Sequence, residues 1–409
     1  TNAEVFFINV ASRKPPGESA ILTFDVVEDE AGRMALNDVR MVGDQIDIAG
    51  AVTFGEDGLP RSFDFPTFWP NPLTRLQVSG VRDEQNVWRV QATGDSYDGR
   101  EFFRSLFSRG KLAEDQPERP EREWGVDITA KVSTVIGHND TTVTNLTAHV
   151  RKDAGELTKL SVNGRLAGES PLAVRLRNTE GEPRLLLAEA TDAGAAFRLV
   201  GLYKRVAGGE MSLRVNLDGL GEADRIGTLY AWNFKVLGDE VVDQVLFGNE
   251  NGIGAPPDQQ GRIVKRRTQI DFNIMRVPFS VGNGQFILRD AIINGPLLGA
   301  TIRGRLDLKR NRIQLSGTYV PMYGLNAAIS SVPILGDLLT GRTGEGIFGM
   351  TYAVRGAMDN PQVLVNPVSA VAPGFLRQIF EFDQTPPRIL SEQSSNTAAR
   401  TGGSPSLTR

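Results

Sequence analysis

Between residues 125 and 320, apolar and polar side chains alternate with a period of two in one segment after another. Leu160, Val162, Gly164 and Leu166 alternate with Ser161, Asn163 and Arg165, and Leu172, Val174 and Leu176 with Arg175 and Arg177. Met211, Leu213, Val215 and Leu217 alternate with Ser212, Arg214 and Asn216, and Ile270, Phe272 and Ile274 with Asp271 and Asn273. Ala300, Ile302, Gly304 and Leu306 alternate with Arg303, Arg305 and Asp307, and Ile313, Leu315, Gly317 and Tyr319 with Gln314, Ser316 and Thr318. Successive side chains of a strand point to opposite faces, so this pattern demands a sheet with one apolar and one wet face. The turns are short, and 44 glycines suit a chain with many of them. A parallel α/β sheet would need continuously apolar strands and a regular strand–helix rhythm, and neither is present. The expected fold is therefore mainly β: an elongated, curved antiparallel sheet shaped as a groove, carrying several short apolar helices.

Residues 1–108 carry the same signal. Strands are expected at 4–10, 20–28, 34–40 and 45–54. Phe63, Phe65 and Phe68 gather near Trp69, and Pro66, Pro70 and Pro72 point to a sheet edge or a crossing loop. Leu76, Val78 and Gly80 answer Trp88, Val90 and Ala92 as two arms of a hairpin closing at 82–86. A short helix at 98–108 presents Phe102, Phe103, Leu106 and Phe107. Further helices are expected at 191–204 and 236–247. With a fourth helical stretch at 323–340, the order strand, short apolar helix, strand recurs four times, a repeat of architecture without a repeat of sequence.

The stretch from Gly317 to Phe382 contains the least polar helix-like run of the chain. From Gly324 to Thr340 the only charge is Asp337, and apolar residues recur every three or four positions. Pro333 breaks the run into helices at about 323–331 and 334–340. Another follows at 374–382. A bilayer span needs roughly 20 uninterrupted apolar residues, so this is either a core helix on a sheet or a helix that touches lipid. Both readings stay open. The candidates for lipid or membrane contact are Leu325, Ile329, Val332, Ile334, Leu335, Leu338, Leu339, Phe375 and Phe380.

With 409 residues the chain exceeds one ordinary core. The expected division is a β segment at 1–108, a charged proline-containing linker or loop at 109–124, a second β region at 125–383 and a disordered tail at 384–409. The chain opens directly on strand-like TNAEVFFINV and reads as a piece of a longer protein. A net charge of −4 favours neither nucleic acid nor an anionic membrane as a bulk partner. The absence of cysteine removes disulfides, thiolate metal sites and cysteine nucleophiles. The two histidines, His138 and His149, sit in a Thr-rich strand-like segment without a metal-ligand pattern. There is no GxSxG elbow, and the Gly-rich segment 248–261 lacks GxGxxG spacing. No catalytic residue, metal site or cofactor is expected, and the chain reads as a non-enzyme. Arg262, Lys265, Arg266 and Arg267 form a basic cluster, either a wet strand face or a contact for anionic headgroups.

Four segments carry a resemblance: FRLVGLYKRVAGGEMSL at 197–213, GTYVPMYGLNAAISSVPILGDLLTG at 317–341, EGIFGMTYAVRG at 345–356 and NPVSAVAPGFLRQIFEF at 366–382. They resemble the AsmA-like family of Gram-negative envelope proteins, in particular the C-terminal region of the large YhdP/TamB-type proteins of alphaproteobacteria. The resemblance runs over about 185–382 and more faintly over 125–184. It implies an inner-membrane anchor elsewhere in the parent protein and a periplasmic location. It also implies a long β-groove that carries phospholipid between the inner and outer membranes, with this region at the outer-membrane end. Exposing two chains of about 16 carbons to water costs roughly 25 kcal/mol at about 0.8 kcal/mol per CH₂, and an apolar trough removes most of that barrier without a catalyst. The other reading is a periplasmic scaffold that assists outer-membrane protein assembly through exposed sheet edges.

Overall fold

The structure is a computed structural model. It describes residues 5–7, 12–14, 19–28, 32–107, 124–153, 155–218, 225–238, 242, 269–282, 284–296, 298–308, 310–321, 350–358 and 360–366. The fold is mainly β, built of curved antiparallel sheet, with two short helices among the described residues. The chain divides into two compact units, residues 1–186 with 195–204, and residues 187–194 with 205–409.

In the first unit β1 (Val5–Phe7) and β2 (Ser12–Lys14) form a small hairpin. The main ladder follows in chain order as β3 (Ala20–Glu28), β4 (Met34–Gly43), β5 (Asp47–Phe54), β6 (Pro60–Trp69), β7 (Arg75–Arg82) and β8 (Val87–Asp98). After α1 (Arg100–Phe107) come β9 (Gly125–Ile136), β10 (Thr142–Asp153), β11 (Glu156–Leu166) and β12 (Ser170–Arg177). All neighbours in this ladder are antiparallel except β8 and β9, which pair in parallel from Val87↔Gly125 to Asp98↔Ile136. A parallel pair needs a crossover, and the segment 99–124 supplies it with α1 as its helical part. The helix is tied to the strand ends: Gly99 N–H donates to Ile136 O at 2.8 Å, and His138 Nε2 lies 3.0 Å from Arg100 O.

β13 (Leu185–Ala190) and α2 (Ala193–Leu199) each straddle the division, since residues 187–194 belong to the second unit and 195–204 to the first. The second ladder holds β14 (Val206–Ala207) and β15 (Glu210–Asn216), both on β16 (Arg225–Leu237), then β17 (Gln269–Gly282), β18 (Gln285–Asn294), β19 (Leu298–Asp307), β20 (Arg312–Pro321), β21 (Met350–Ala357) and β22 (Pro361–Asn366). It is antiparallel throughout.

Bulges interrupt both ladders. Asp38, Asn145 and Asp290 sit at register shifts with φ of 49°, 52° and 47°. Short Asx side chains tolerate this left-handed region best after glycine, and each bulge bends its strand and increases the local twist.

Several expectations change here. Pro66 lies inside β6, which pairs on both sides, and not at an edge or crossing loop; it falls at a bulge between Phe65 and Phe68, where a missing N–H leaves the ladder intact. The helix expected at 191–204 is confined to α2, because Gly201 adopts φ 72° and its N–H turns back to Arg198 O. In the helix expected at 236–247, Val236 and Leu237 are the last residues of β16, and the remainder lies outside the described residues apart from Gly238 and Val242. The helices at 323–331, 334–340 and 374–382, the tail at 384–409 and all of 109–124 except Trp124 also lie outside them.

Gly80 pairs with Phe63, and a Cβ at Gly80 would lie 2.5 Å from that ring. The substitution Gly80→Val should lower stability by about 1–3 kcal/mol through overpacking, read as a shift in the urea midpoint. Ser79→Val, on the wet face of the same strand, should not do so. Equal midpoints for both would show that the Phe63 ring is free to move aside.

Candidate functional site

The register of the first unit lines apolar residues up in rows that cross the ladder. One row runs Val26, Leu36, Val52, Phe63, Gly80, Val90, Ile128, Val150 and Leu160, over nine strands from β3 to β11. A second runs Phe65, Val78, Ala92, Ala130, Ala148, Val162 and Val174, from β6 to β12. A third runs Leu22, Met41, Ile48, Phe68, Leu76, Gly94, Val132 and Leu146. The rows share one face. The opposite face carries Asp64, Ser79, Gln91, Thr129, His149 and Ser161. At about 4.8 Å per strand the first row extends about 40 Å, and three rows two residues apart are about 13 Å wide.

The burial of these rows is the reverse of a closed sandwich. There the middle row would be the most enclosed. Here Phe65, Val78, Ala92, Ala130, Ala148, Val162 and Val174 are all half-buried. The first row is likewise half-buried, apart from exposed Val26 and buried Gly80; the buried positions are Ile48, Leu76 and Val132 of the third row, at 4–6% exposure, and Trp88, at 9%, beyond the first row. The three alanines keep the centre shallow in side chain. At the β3 end Leu22 and Val26 are 51% and 62% exposed.

Aromatic rings and ion pairs hold the margins. Phe63 lies 5.3 Å from Trp88 and 6.0 Å from Phe65, Phe65 lies 6.3 Å from Phe68, and Trp88 lies 6.1 Å from Trp124. The Arg82 guanidinium sits 5.6 Å from the Trp124 ring centroid and pairs with Asp57 at 2.8 Å. The Leu59 N–H and then Arg82 hold the Asp57 carboxyl below the ordinary carboxylate value. In the adjoining turn Asp83 accepts N–H bonds from Val87 and Gln85, and the Val87 bond lowers its pKa most. At the other margin Arg75 covers Trp69 at 4.5 Å, and buried Thr74 accepts the Asp98 N–H. Burial, with the Asp98 charge nearby, pushes Tyr97 up to about 12.

The second unit repeats the device. Val215, Gly227, Phe279, Leu288, Gly304, Leu315, Val354 and Val363 form an unbroken apolar row from β15 to β22. This face is better filled: Phe279, Val354, Ala300 and Tyr319 are buried, and burial raises the pKa of Tyr319 and Tyr352. On β17 the apolar side changes along the strand. Met275, Val277 and Phe279 lie on this face, whereas Ile270, Phe272 and Ile274 lie on the other, where Phe272 stacks on Phe234 at 5.3 Å. The alternation around Ile270 therefore belongs to a different face from that around Met211.

None of the residues singled out from sequence for lipid contact, Leu325, Ile329, Val332, Ile334, Leu335, Leu338, Leu339, Phe375 and Phe380, lies among the described residues, and neither do Arg262, Lys265, Arg266 and Arg267. The cross-strand rows were the missed feature; their members show as alternation, but their alignment depends on register. His149 Nε2 lies 2.7 Å from Asp127 Oδ1 on the wet face, and His138 serves the α1 anchor. Among the described residues there is no cluster of His, Cys, Asp or Glu able to hold a metal, and no helix long and apolar enough to cross a membrane.

If the middle row is open, Ala130→Asp should leave the chain folded and cost no more than about 1–1.5 kcal/mol. Val132→Asp, at a buried position, should cost several kcal/mol, since a charge there loses its water. Urea midpoints measure both. A large loss at Ala130 would mean that the face is covered. Comparison with known proteins returned no matching family model, no similar curated protein and no similar solved structure.

Proposed function

We propose that the chain holds the acyl chains of lipids on its apolar sheet face, and that it does so as an AsmA-like, periplasmic element of phospholipid transport between the two membranes of a Gram-negative envelope. The observation that carries this reading is the half-buried middle row, from Phe65 to Val174, beside a first row that is half-buried as well and a third row with buried Ile48, Leu76 and Val132. A continuous apolar strip about 40 Å long has no use in an ordinary sandwich unless something fills it. A lipid chain matches it in chemistry, because each buried CH₂ returns about 0.8 kcal/mol and asks for no directional partner. No proton transfer, nucleophile or metal is needed. The polar residues on the opposite face keep that side in water. The rings of Phe63, Phe65 and Phe68, one in each row, provide broad contact without fixing a particular head group.

Mass spectrometry of organic extracts from the purified chain, with photo-crosslinkers at Ala130, Ile329 and Phe375, tests the reading. The expected result is co-purifying phospholipid and a lipid adduct at Ala130. Filling the strip with Ala130→Trp and Ala148→Trp should remove most of that lipid while the urea midpoint changes little. A folded, lipid-free protein whose Ala130 crosslinks to an outer-membrane barrel protein would overturn the lipid reading in favour of the scaffold.

A further inference from the structure

The polar face of the second unit carries a feature that the apolar strip does not explain. Arg305, Gln314 and Arg355 are successive cross-strand partners on β19, β20 and β21. Arg303, Ser316 and Ala353 form the next row. Beyond it Thr318 pairs with Thr351, and Thr318 N–H donates to Thr301 Oγ1 at 3.2 Å. Two adjoining concavities of about 540 and 560 Å³ open over these rows and share Asp290, Arg303 and Ser316. Arg289 and Arg305 also line the second, with Gln314 and Arg355.

Four guanidinium groups thus face one region that is lined by a single carboxylate, Asp290. Arg303 and Arg305 are about 7 Å apart along one strand, and Arg305 and Arg355 about 10 Å apart across two strand spacings. Like charges on such neighbouring positions repel. Some exposed arginines elsewhere meet acids: Arg89 with Asp83, Arg100 with Asp98, Arg165 with Glu169, Arg310 with Asp307. Among the described residues Arg289, Arg303, Arg305 and Arg355 have no ion-pair or hydrogen-bond partner. Their guanidinium forks match the oxygens of a phosphate, and the Ser316 and Thr318 hydroxyls add further donors.

We propose that this arginine-lined concavity on β18–β21 is a binding site for a phosphate-bearing anion. It lies on the face opposite the apolar row of the same strands. Its ligand is therefore not the head group of a lipid whose chains lie along that row. The phosphate comes either from a soluble molecule or from an anionic membrane surface, and the assignment does not depend on the lipid-holding reading.

Two assays on the full chain separate these sources. Calorimetric titration with inorganic pyrophosphate, at low salt, reads soluble phosphate. Flotation with vesicles of phosphatidylcholine containing phosphatidylglycerol, against phosphatidylcholine alone, reads the surface. The variant combines R303Q, R305Q and R355Q, all exposed positions, with an unchanged urea midpoint as the check on folding; R89Q, an exposed arginine elsewhere, is the control. Saturable pyrophosphate binding that weakens at least about tenfold in the triple variant and not in R89Q supports a soluble ligand. Anionic-vesicle flotation with the same dependence, without pyrophosphate binding, supports a membrane surface. Absence of both, or binding that the triple variant retains, overturns the site.

Discussion

Strand register is the constraint on which the rest depends. The side-chain period of a strand is two, so a one-residue slip in any ladder would send that strand's apolar residues to the wet face. In the first unit Val26 and Leu160 belong to one row only because eight successive pairings keep count. The bulges are part of that count. At Pro66 the extra residue lets Phe65 and Phe68, an odd number of positions apart, both lie on the apolar face. At Asp290 the same device keeps Ala291 and Leu288 on one side of β18. The bends that these bulges introduce shape the sheet while the rows stay in line.

Much of this was legible in the sequence. The strand 20–28, the hairpin of 76–80 with 88–92, and the helix over 100–107 follow from alternation, turn chemistry and a helical apolar face. Local pattern suffices where the deciding contacts are local. It failed at Pro66, where a bulge absorbed a residue that a regular strand would reject, and at 236–237, where a helical spacing of apolar residues lay in the end of a 13-residue strand. The polarity of a face was legible, but its covering was not. Alternation states that one side is apolar; whether a second layer lies on it depends on distant contacts, and the same pattern would build a sandwich.

The arginine site shows the same limit from the other side. A run such as Arg262, Lys265, Arg266 and Arg267 draws attention because its charges are contiguous. Arg303, Arg305 and Arg355 are spread over 53 positions and read singly as wet-face residues. Two antiparallel pairings bring them together. Chemistry assembled across a sheet is invisible to a linear reading, because the relevant neighbour is a strand away and not a residue away.

The two faces also differ in what they require of a ligand. The apolar rows are graded in steric depth but carry no directional donors, so they suit an occupant that slides. The row from Val26 to Leu160 crosses nine strands without a polar residue. The arginine concavity has the opposite character. Its donors have fixed geometry, so it suits an occupant that is held in place.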